Sequence, residues 1–384
     1  MRRNTTIGFD AKCANATDGA RGRYARFVIG ALAAEAPRRS YFRMYLPLRE
    51  PNADYDALAA RHNVESMEPD GSLWRLLGWP WRLWRVSSDA QRGRVELYHG
   101  LNELLPLGLQ RRNIRSVVTI HSLSFLHYAE YGYVERLWHR LRLMPALHYS
   151  DRIVAVSECV KRDLVQHMGV DPDKVDVIYR GCSDEFMNNI SDPDIATVRE
   201  RYCLPQRYML MVGTPNQRRN LDRIVESMAK LPADLALVVV GRRTPYYERV
   251  MLRARSLGLE ERITLVSGVS DAELPAIYSG ASIFVLLSQY EGFAPQIIEA
   301  LTMGIPVIAA RGSSLEEAGG PDSIYVDADD REQLVASVDM LLSDDALRRR
   351  MADSGRSYAS RFRREVMAYN LMNCYERIGV DIKE

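Results

Sequence analysis

The chain has 384 residues, of which 47% are hydrophobic and 26% are charged, and its length favours two domains over a single core. Its formal net charge of +1 argues against a general nucleic-acid-binding protein. The sequence contains no apolar run of the roughly 18 residues that would span a bilayer, and its N-terminus has no apolar stretch of signal-peptide length. These properties lead us to expect a cytoplasmic protein.

Short apolar runs alternate with longer amphipathic stretches along the whole chain. Many of the runs lack an alternation of polar and apolar residues, which is typical of parallel strands covered on both faces. The repeated order of strand and helix predicts a doubly wound α/β architecture. The predicted strands are NTTIGFDA, YFRMYLP, VELYHG, RSVVTIHS, RIVAVSE, KVDVIYRG, YMLMVGT, ALVVVGR, RITLVSG, SIFVLLS, IPVIAA and SIYVDA.

A polar segment with an Asp-Pro turn signal, residues 181–197, marks the predicted seam between two domains. We predict an N-terminal Rossmann-like domain over residues 1–182 and a C-terminal Rossmann-like domain over residues 183–363. Residues 364–384 are predicted to form a helix that packs back on the N-terminal domain. In doubly wound sheets ligands bind beyond the carboxyl ends of the strands, and two such domains facing each other leave a cleft for a ligand.

The sequence does not predict a metal site. The five cysteines are scattered and form no Cys-x-x-Cys pair. Asp-x-Asp occurs at 54–56, 171–173, 192–194 and 327–329, but two of these are Asp-Pro-Asp turns and none follows a strand in the expected arrangement. Arginines can stabilise a departing phosphate group in place of a metal ion.

Two carboxylates, Glu291 and Glu299, follow the predicted strand that ends in FVLLS. Glu291 lies in the loop after this strand, and Glu299 lies about one turn into a helix that Pro295 begins. A carboxylate can accept two hydrogen bonds from a vicinal diol, and the free N–H groups of Phe293 and Ala294 can donate to an oxygen-rich ligand. On spacing alone, the alternative is that Glu291 is a solvated loop residue and that Glu299 is a carboxylate near the helix start, favoured by the helix dipole.

A second candidate site is the loop from Gly213 to Leu221, which follows a predicted strand and opens a helix. Two adjacent cations, Arg218 and Arg219, lie near the start of this helix and are suited to bind a diphosphate. A pair of solvated arginines is the alternative interpretation.

The segments 291–293, 299–301 and 304–309 together resemble the signature of the retaining glycosyltransferases of family 4. These enzymes use nucleotide-sugars and have the two-domain GT-B fold, in which two Rossmann-like domains face each other across a cleft. The resemblance implies that Glu291 contacts hydroxyls of the donor sugar and that Glu299 contacts the ribose of the nucleotide. It implies no resident cofactor, since the nucleotide-sugar is a co-substrate.

Further segments match the family. The loop after Gly213 resembles its phosphate-binding loop, with Arg219 where a lysine is usual. His121 ends the strand VVTIHS, where the family has a histidine near the donor sugar. The catalytic residues that the resemblance implies are His121, Arg218, Arg219 and Glu291. The donor-binding residues that it implies are Gly19, Ala20, Gly213, Gly268, Val269, Gly292, Phe293, Ala294 and Glu299.

The resemblance implies transfer of a hexose from a nucleotide-diphosphate sugar to a saccharide or lipid-linked saccharide in surface polysaccharide synthesis. GDP-mannose is the first donor to consider, and dTDP-rhamnose or a UDP-hexose is the alternative. Ser122, Ala20 and Thr214 depart from the family pattern, which leaves open a non-catalytic nucleotide-sugar-binding partner subunit. A sugar epimerase of the same fold is a third option, but the sequence offers no acid–base pair for it.

Four of the five tryptophans lie in residues 73–86, interleaved with arginines. Tryptophan and arginine together suit a membrane interface, so peripheral contact with the inner face of the cell membrane is one expectation. The basic first half supports it, because residues 1–180 carry a net charge of +7 and residues 181–384 carry −6. The alternatives are packing of these tryptophans onto the first sheet and chance variation in surface charge.

Overall fold

A computed structural model of the chain describes residues 4–16, 19–188 and 190–382, with Ser72 and Leu73 described by their backbone alone. The chain divides into two compact units. The first unit consists of residues 1–181 and 364–384, and the second consists of residues 182–363.

The first unit is built on a seven-stranded parallel sheet with the order β3-β2-β1-β4-β5-β6-β7. Its strands are β1 (Thr5–Asp10), β2 (Ser40–Tyr45), β3 (Val64–Met67), β4 (Leu97–Gly100), β5 (Arg115–Ile120), β6 (Arg152–Ala155) and β7 (Val175–Val177). Its helices before the second unit are α1 (Ala20–Glu35), α2 (Ala53–Ala59), α3 (Ser72–Leu76), α4 (Gly78–Pro80), α5 (Val86–Arg92), α6 (Tyr133–Tyr149) and α7 (Glu158–Met168).

The second unit is built on a six-stranded parallel sheet with the order β10-β9-β8-β11-β12-β13. Its strands are β8 (Tyr208–Val212), β9 (Ala236–Val240), β10 (Ile263–Val266), β11 (Ile283–Leu286), β12 (Val307–Ala310) and β13 (Ile324–Val326). Its helices are α8 (Asp192–Arg201), α9 (Leu221–Ser227), α10 (Pro245–Ser256), α11 (Leu274–Ser279), α12 (Pro295–Thr302), α13 (Leu315–Gly319), α14 (Arg331–Ser343) and α15 (Asp345–Ala359).

The central strands of both sheets are covered on both faces, as their sequences predict. Every residue of β4, β8, β9, β11 and β12 is buried. The sequence did not predict β3, because the run VESM is short and half polar. This strand lies at the edge of its sheet and pairs with β2 alone, so it does not need the apolar run of a central strand.

The last helix, α16 (Arg364–Glu376), belongs to the first unit and packs on α1. The hydroxyl of Tyr375 lies 2.7 Å from Nδ1 of the buried His99 on β4. The hydroxyl of Thr5 donates to the carbonyl oxygen of Asp381 at 2.9 Å. This C-terminal segment thus closes the core of the first unit. In the part of the chain that the structure describes, no helix is both long and apolar enough to cross a membrane.

Candidate active site

The carboxyl ends of β8, β11 and β12 are neighbours in the second sheet, and this order of the strands places three polar loops at one edge. The loop after β8 carries Gly213 and the two arginines. The loop after β11 carries Glu291, and the loop after β12 carries Ser313 and Ser314. Because ligands of doubly wound sheets bind at this edge, these loops form the candidate site of the second unit.

Arg219 folds back over the start of its own loop. Its Nη1 donates to the carbonyl oxygen of Val212 at 2.7 Å. Gly213 adopts a φ of 125°, and a Cβ atom there would lie well inside van der Waals contact of the Arg219 guanidinium. Nη2 of Arg219 lies 3.6 Å from Oε1 of Glu291. The structure therefore brings Gly213, Arg219 and Glu291 together.

Asn220 ties the arginine loop to the neighbouring strand. It adopts a left-handed conformation with φ 51°, which ends the 3₁₀ turn Gln217–Arg219 and starts α9. Its buried side-chain amide donates to the carbonyl oxygen of Leu287 at 3.0 Å. The N–H of Gln289 donates to the carbonyl oxygen of Arg218 at 3.2 Å. These hydrogen bonds fix the positions of the loops after β8 and β11 relative to each other.

The backbone and the carboxylate of Glu291 are both held in place. The hydroxyl of the buried Ser288 donates to Oε1 of Glu291 at 3.0 Å. The N–H of Glu291 donates to Oγ of Ser313 at 3.3 Å, and the hydroxyl of Ser314 donates to the carbonyl oxygen of Glu291 at 2.8 Å. Such a carboxylate has a fixed direction and does not behave as a freely solvated loop residue.

Glu299 is positioned by a different residue. It is the fifth residue of α12, which begins at Pro295 as the sequence predicts. The hydroxyl of Tyr278 on α11 donates to Oε2 of Glu299 at 2.7 Å. Tyr278 is fully buried and stacks on Phe284 of β11 with ring centroids 5.8 Å apart. A rigid core side chain therefore aims this carboxylate.

The remaining predicted donor-binding residues of the second unit differ in their surroundings. Gly268 is exposed with a φ of 74°, and an added Cβ would meet no atom within 4 Å. Val269 beside it is half-buried, Gly292 is buried and Ala294 is fully buried. The ring of Phe293 packs against Phe362 with centroids 5.9 Å apart. Gly268 and Val269 follow β10, two strands away from β8, so this turn forms the outer part of the candidate site.

In the first unit, His121 directly follows β5 and is half-buried. The ring packs edge-on against Tyr24 with centroids 4.7 Å apart, and Nε2 lies 2.8 Å from the carbonyl oxygen of Leu101. Burial lowers the pKa of His121 to about 3, so the ring is neutral at pH 7. Since a carbonyl oxygen only accepts, Nε2 carries the proton and Nδ1 is left as an acceptor.

Gly19 and Ala20 form the start of α1. Gly19 has a φ of 119° and precedes the helix, and Ala20 is its first residue. The carbonyl oxygen of Ala20 accepts a hydrogen bond from Nη2 of Arg180 at 3.0 Å. The two preceding residues, Thr17 and Asp18, lie outside the described residues.

Glu103, which is not among the residues predicted from the sequence, lies three residues after the end of β4. This residue has a φ of 60° and is only 7% exposed. Its Oε1 has no hydrogen-bond partner among the residues that the structure describes, although Nη2 of Arg21 lies 3.5 Å away. Its N–H donates to the carbonyl oxygen of Thr119 on β5 at 3.2 Å. A strained, buried carboxylate beside the end of a strand is suited to accept a ligand hydroxyl.

Residues 73–86 are divided between core and surface. Trp81 is 1% exposed, and the neighbouring Arg82 is buried against Asp10 at the end of β1. Arg82 makes two hydrogen bonds to this carboxylate, from Nε at 3.2 Å and from Nη2 at 2.5 Å. The buried part of the segment, Trp81 and Arg82, therefore packs onto the first sheet. The described residues contain no group of three or more His, Cys, Asp or Glu side chains that could hold a metal ion.

Two family models match successive parts of the chain. The model described as "Glycosyltransferase Family 4" matches residues 28–186, and the model described as "Glycosyl transferases group 1" matches residues 200–358. The chain is a family 4-like glycosyltransferase. Its two Rossmann-like sheets and the neighbouring solved structures also confirm the expected GT-B fold.

Named relatives of this glycosyltransferase include two bacterial enzymes. It is 28% identical to O-antigen chain mannosyltransferase B of Escherichia coli, over 73% of this chain and 74% of the relative. It is 27% identical to mannosylfructose-phosphate synthase of Agrobacterium fabrum, over 53% of this chain and only 47% of that relative. Among solved structures, the Anabaena protein HepE in complex with UDP and glucose superimposes with a TM-score of 0.75 at 17% identity, over 97% of this chain and all of HepE.

Proposed function

We propose that this glycosyltransferase moves a hexose from a nucleotide-diphosphate sugar to a saccharide or lipid-linked saccharide, with retention at the anomeric carbon. GDP-mannose is the donor that we propose first, and surface polysaccharide synthesis on the cytoplasmic side of the membrane is the proposed setting. The observation that carries the proposal is the position of Arg219, held between Gly213 and the carboxylate of Glu291. A cation fixed beside a carboxylate supports a diphosphate site adjoining a sugar site.

In this proposal the arginines act on the leaving group. Arg218 and Arg219 would stabilise the negative charge that develops on the diphosphate as its bond to the sugar breaks. The guanidinium of Arg219 is already held by Val212, so little reorganisation accompanies the reaction. Neither a metal ion nor a resident cofactor is part of the proposed mechanism.

The two glutamates would orient the donor. Glu291 would accept hydrogen bonds from hydroxyls of the sugar, and its contacts with Ser288, Ser313 and Ser314 fix its direction. Glu299 would accept hydrogen bonds from the ribose, with Tyr278 holding the second carboxylate oxygen. This division of roles is supported by the different loops and helices that position the two side chains.

The proposed transfer is a front-face displacement. The acceptor hydroxyl oxygen bonds to the anomeric carbon on the face from which the diphosphate departs, and the hydroxyl proton passes to the departing phosphate oxygen. His121 would position the sugar through its Nδ1, because a neutral imidazole with a pKa of about 3 is a weak base. Glu103 would receive a hydroxyl of the acceptor.

The names of the relatives support mannose as the transferred sugar, since the first is an O-antigen chain mannosyltransferase. The complex of HepE with UDP and glucose supports a UDP-hexose as the alternative donor. A further alternative donor is dTDP-rhamnose. A non-catalytic nucleotide-sugar-binding subunit is the alternative of another class. Trp79 and Trp84, which are 59% and 55% exposed, are available for the peripheral membrane contact that the sequence suggested.

A thermal-shift screen against GDP-, UDP- and dTDP-sugars tests the proposal. GDP-mannose at about 100 times its Kd should raise the free energy of unfolding by about 2.7 kcal/mol, and the Arg219→Ala variant should lose this response. Product analysis with a lipid-linked saccharide extract then separates transfer from binding. A flat response to all three nucleotides would refute the donor site, and binding without hydrolysis or transfer would favour the non-catalytic subunit.

A further inference from the structure

Helix α6 of the first unit presents an unusually apolar surface. Its first ten residues, Tyr133–Arg142, include no buried side chain. Large hydrophobic side chains are nevertheless concentrated in this stretch and at Met144 just after it. The exposed fractions are 82% for Tyr133, 78% for Val134, 43% for Leu137, 56% for Trp138, 63% for Leu141 and 44% for Met144. A monomeric protein rarely exposes so many large apolar side chains in one place, so this surface indicates a binding partner.

These side chains lie on one face of the helix. At 100° per residue they fall within an arc of about 140°, and the buried residues Leu143, Ala146 and Leu147 lie on the opposite face. We call this set the α6 stripe: Tyr133, Val134, Leu137, Trp138, Leu141 and Met144. The stripe contains no acidic residue, and the only carboxylate of the helix, Glu135, projects away from it.

Contacts on the opposite side of α6 fix the helix to the first unit, so the position of the stripe is fixed as well. Arg136 donates from Nε to the carbonyl oxygen of Tyr131 at 3.0 Å. His139 stacks on Phe125 with ring centroids 5.1 Å apart. The face of α6 opposite the stripe thus contacts the first unit, and the stripe itself is exposed.

Two cations border the stripe on its two sides. By the helical repeat, Arg140 lies about 20° outside one edge and Arg142 about 40° outside the other. The guanidinium of Arg142 lies 5.6 Å from the ring of Trp138. Tryptophan and tyrosine at the border of an apolar face, with arginines beside them, match the chemistry of the lipid headgroup region.

We propose that the α6 stripe lies in the interface of a bilayer that contains anionic lipid. The apolar side chains enter the acyl boundary and Arg142 contacts anionic headgroups. Arg140, whose Nη2 donates to the carbonyl oxygen of His167 at 2.8 Å, adds positive charge at the other border. The net charge of +7 on residues 1–180 complements such a surface. This inference concerns a surface other than residues 73–86, and it does not depend on the identity of the sugar donor.

Vesicle co-sedimentation without any nucleotide-sugar tests the inference. The full chain should bind vesicles of phosphatidylcholine with about 30 mol% phosphatidylglycerol at least tenfold more tightly than the triple variant Leu137→Gln/Trp138→Gln/Leu141→Gln. Arg142→Gln should weaken binding about fivefold on these vesicles and have little effect on pure phosphatidylcholine. The matched control is Leu252→Gln, because Leu252 is 62% exposed on α10 of the second unit.

The outcomes separate the possible partners. Unchanged vesicle binding by the triple variant, with a Tm equal to that of the parent chain, would overturn the proposal. A concentration-dependent dimer that the triple variant abolishes, without lipid binding by the parent chain, would assign the stripe to a second copy and also overturn it. Donor binding by thermal shift is measured on the same variants, so a failure here is distinct from a failure of the proposed function.

Discussion

The guanidinium of Arg219 fills the space in which a side chain on Gly213 would lie. The left-handed φ of 125° at Gly213 and the position of the arginine therefore depend on each other. Gly213→Ala should displace Arg219 from Val212 and from Glu291. We expect kcat/KM with the donor identified by the thermal-shift screen to fall about 100-fold, as for loss of one stabilising donor in an active site.

Gly258→Ala is the matched control for this substitution. Gly258 also has a positive φ, of 68°, but an added Cβ would meet no atom within 4 Å. Both variants carry the cost of a left-handed alanine, about 1–2 kcal/mol, and only Gly213→Ala adds the collision. Equal loss of activity in the two variants would contradict the role assigned to Arg219.

Removal of the Tyr278 hydroxyl should weaken donor binding. Tyr278→Phe leaves the core packing in place but deprives Glu299 of its 2.7 Å hydrogen bond. We expect the Kd for the nucleotide-sugar to rise about tenfold, since a hydrogen bond to a charged group contributes about 1.5–3 kcal/mol. Calorimetric titration measures it. Tyr325→Phe, which removes a 2.5 Å bond to the carbonyl oxygen of Gly320 in the same unit, should not change this Kd.

The stability of the protein should decrease in mild acid. Burial lowers the pKa of His99 and of His121 to about 3, whereas an unfolded histidine titrates near 6.5. Between pH 3 and pH 6.5, roughly, the unfolded chain therefore binds more protons than the folded chain. The free energy of unfolding therefore falls as the pH drops below about 6.5, by up to about 1.4 kcal/mol per pH unit for each histidine.

Differential scanning calorimetry between pH 7.5 and pH 5 measures this decline, in a range where most carboxylates stay ionised. His121→Asn should remove about half of the slope, because one of the two imidazoles with a lowered pKa is gone. A Tm that is constant over this range is incompatible with two imidazoles that stay neutral in the folded chain.

Replacing Glu103 should stabilise the fold and impair transfer. Glu103→Gly removes a left-handed non-glycine residue and a buried carboxylate oxygen without a hydrogen bond, so we expect the free energy of unfolding to rise by about 1 kcal/mol. Transfer to the acceptor should fall, and hydrolysis of the donor should continue. Asn113→Gly relieves a similar φ of 54° at an exposed site and should leave transfer intact. Lower stability together with unchanged transfer would remove Glu103 from the site.

The sequence predicts candidate site residues that lie in loops directly after strands. Arg219 and Glu291 lie just after β8 and β11, and strand ends can be located from apolar runs alone. The sequence did not show that Tyr278 holds Glu299 or that Ser313 holds the backbone of Glu291. These contacts join residues 21 and 22 positions apart through the order of the sheet, which no local pattern encodes.

For a related reason, the sequence does not indicate the role of Glu103 or the exposed apolar face of α6. The strain at Glu103 is a backbone conformation, and its sequence context, LNELLP, contains no glycine to signal it. The segment YVERLWHRLRLMPALHY fits either an ordinary amphipathic helix or one turned outward. Only the packing of Leu143, Ala146 and Leu147 against the first unit decides which face of it is buried.

The chain leaves the first unit after Gly181 and returns to it at Arg364. The second unit is therefore continuous, and a ribosome completes it before the helix that closes the first unit exists. At about 5–20 residues per second, the first unit waits roughly 10–40 s before α16 can cover α1 and bring Tyr375 to His99. During that interval its apolar face is open to chaperones, so the half of the protein that is made first is the last to finish folding.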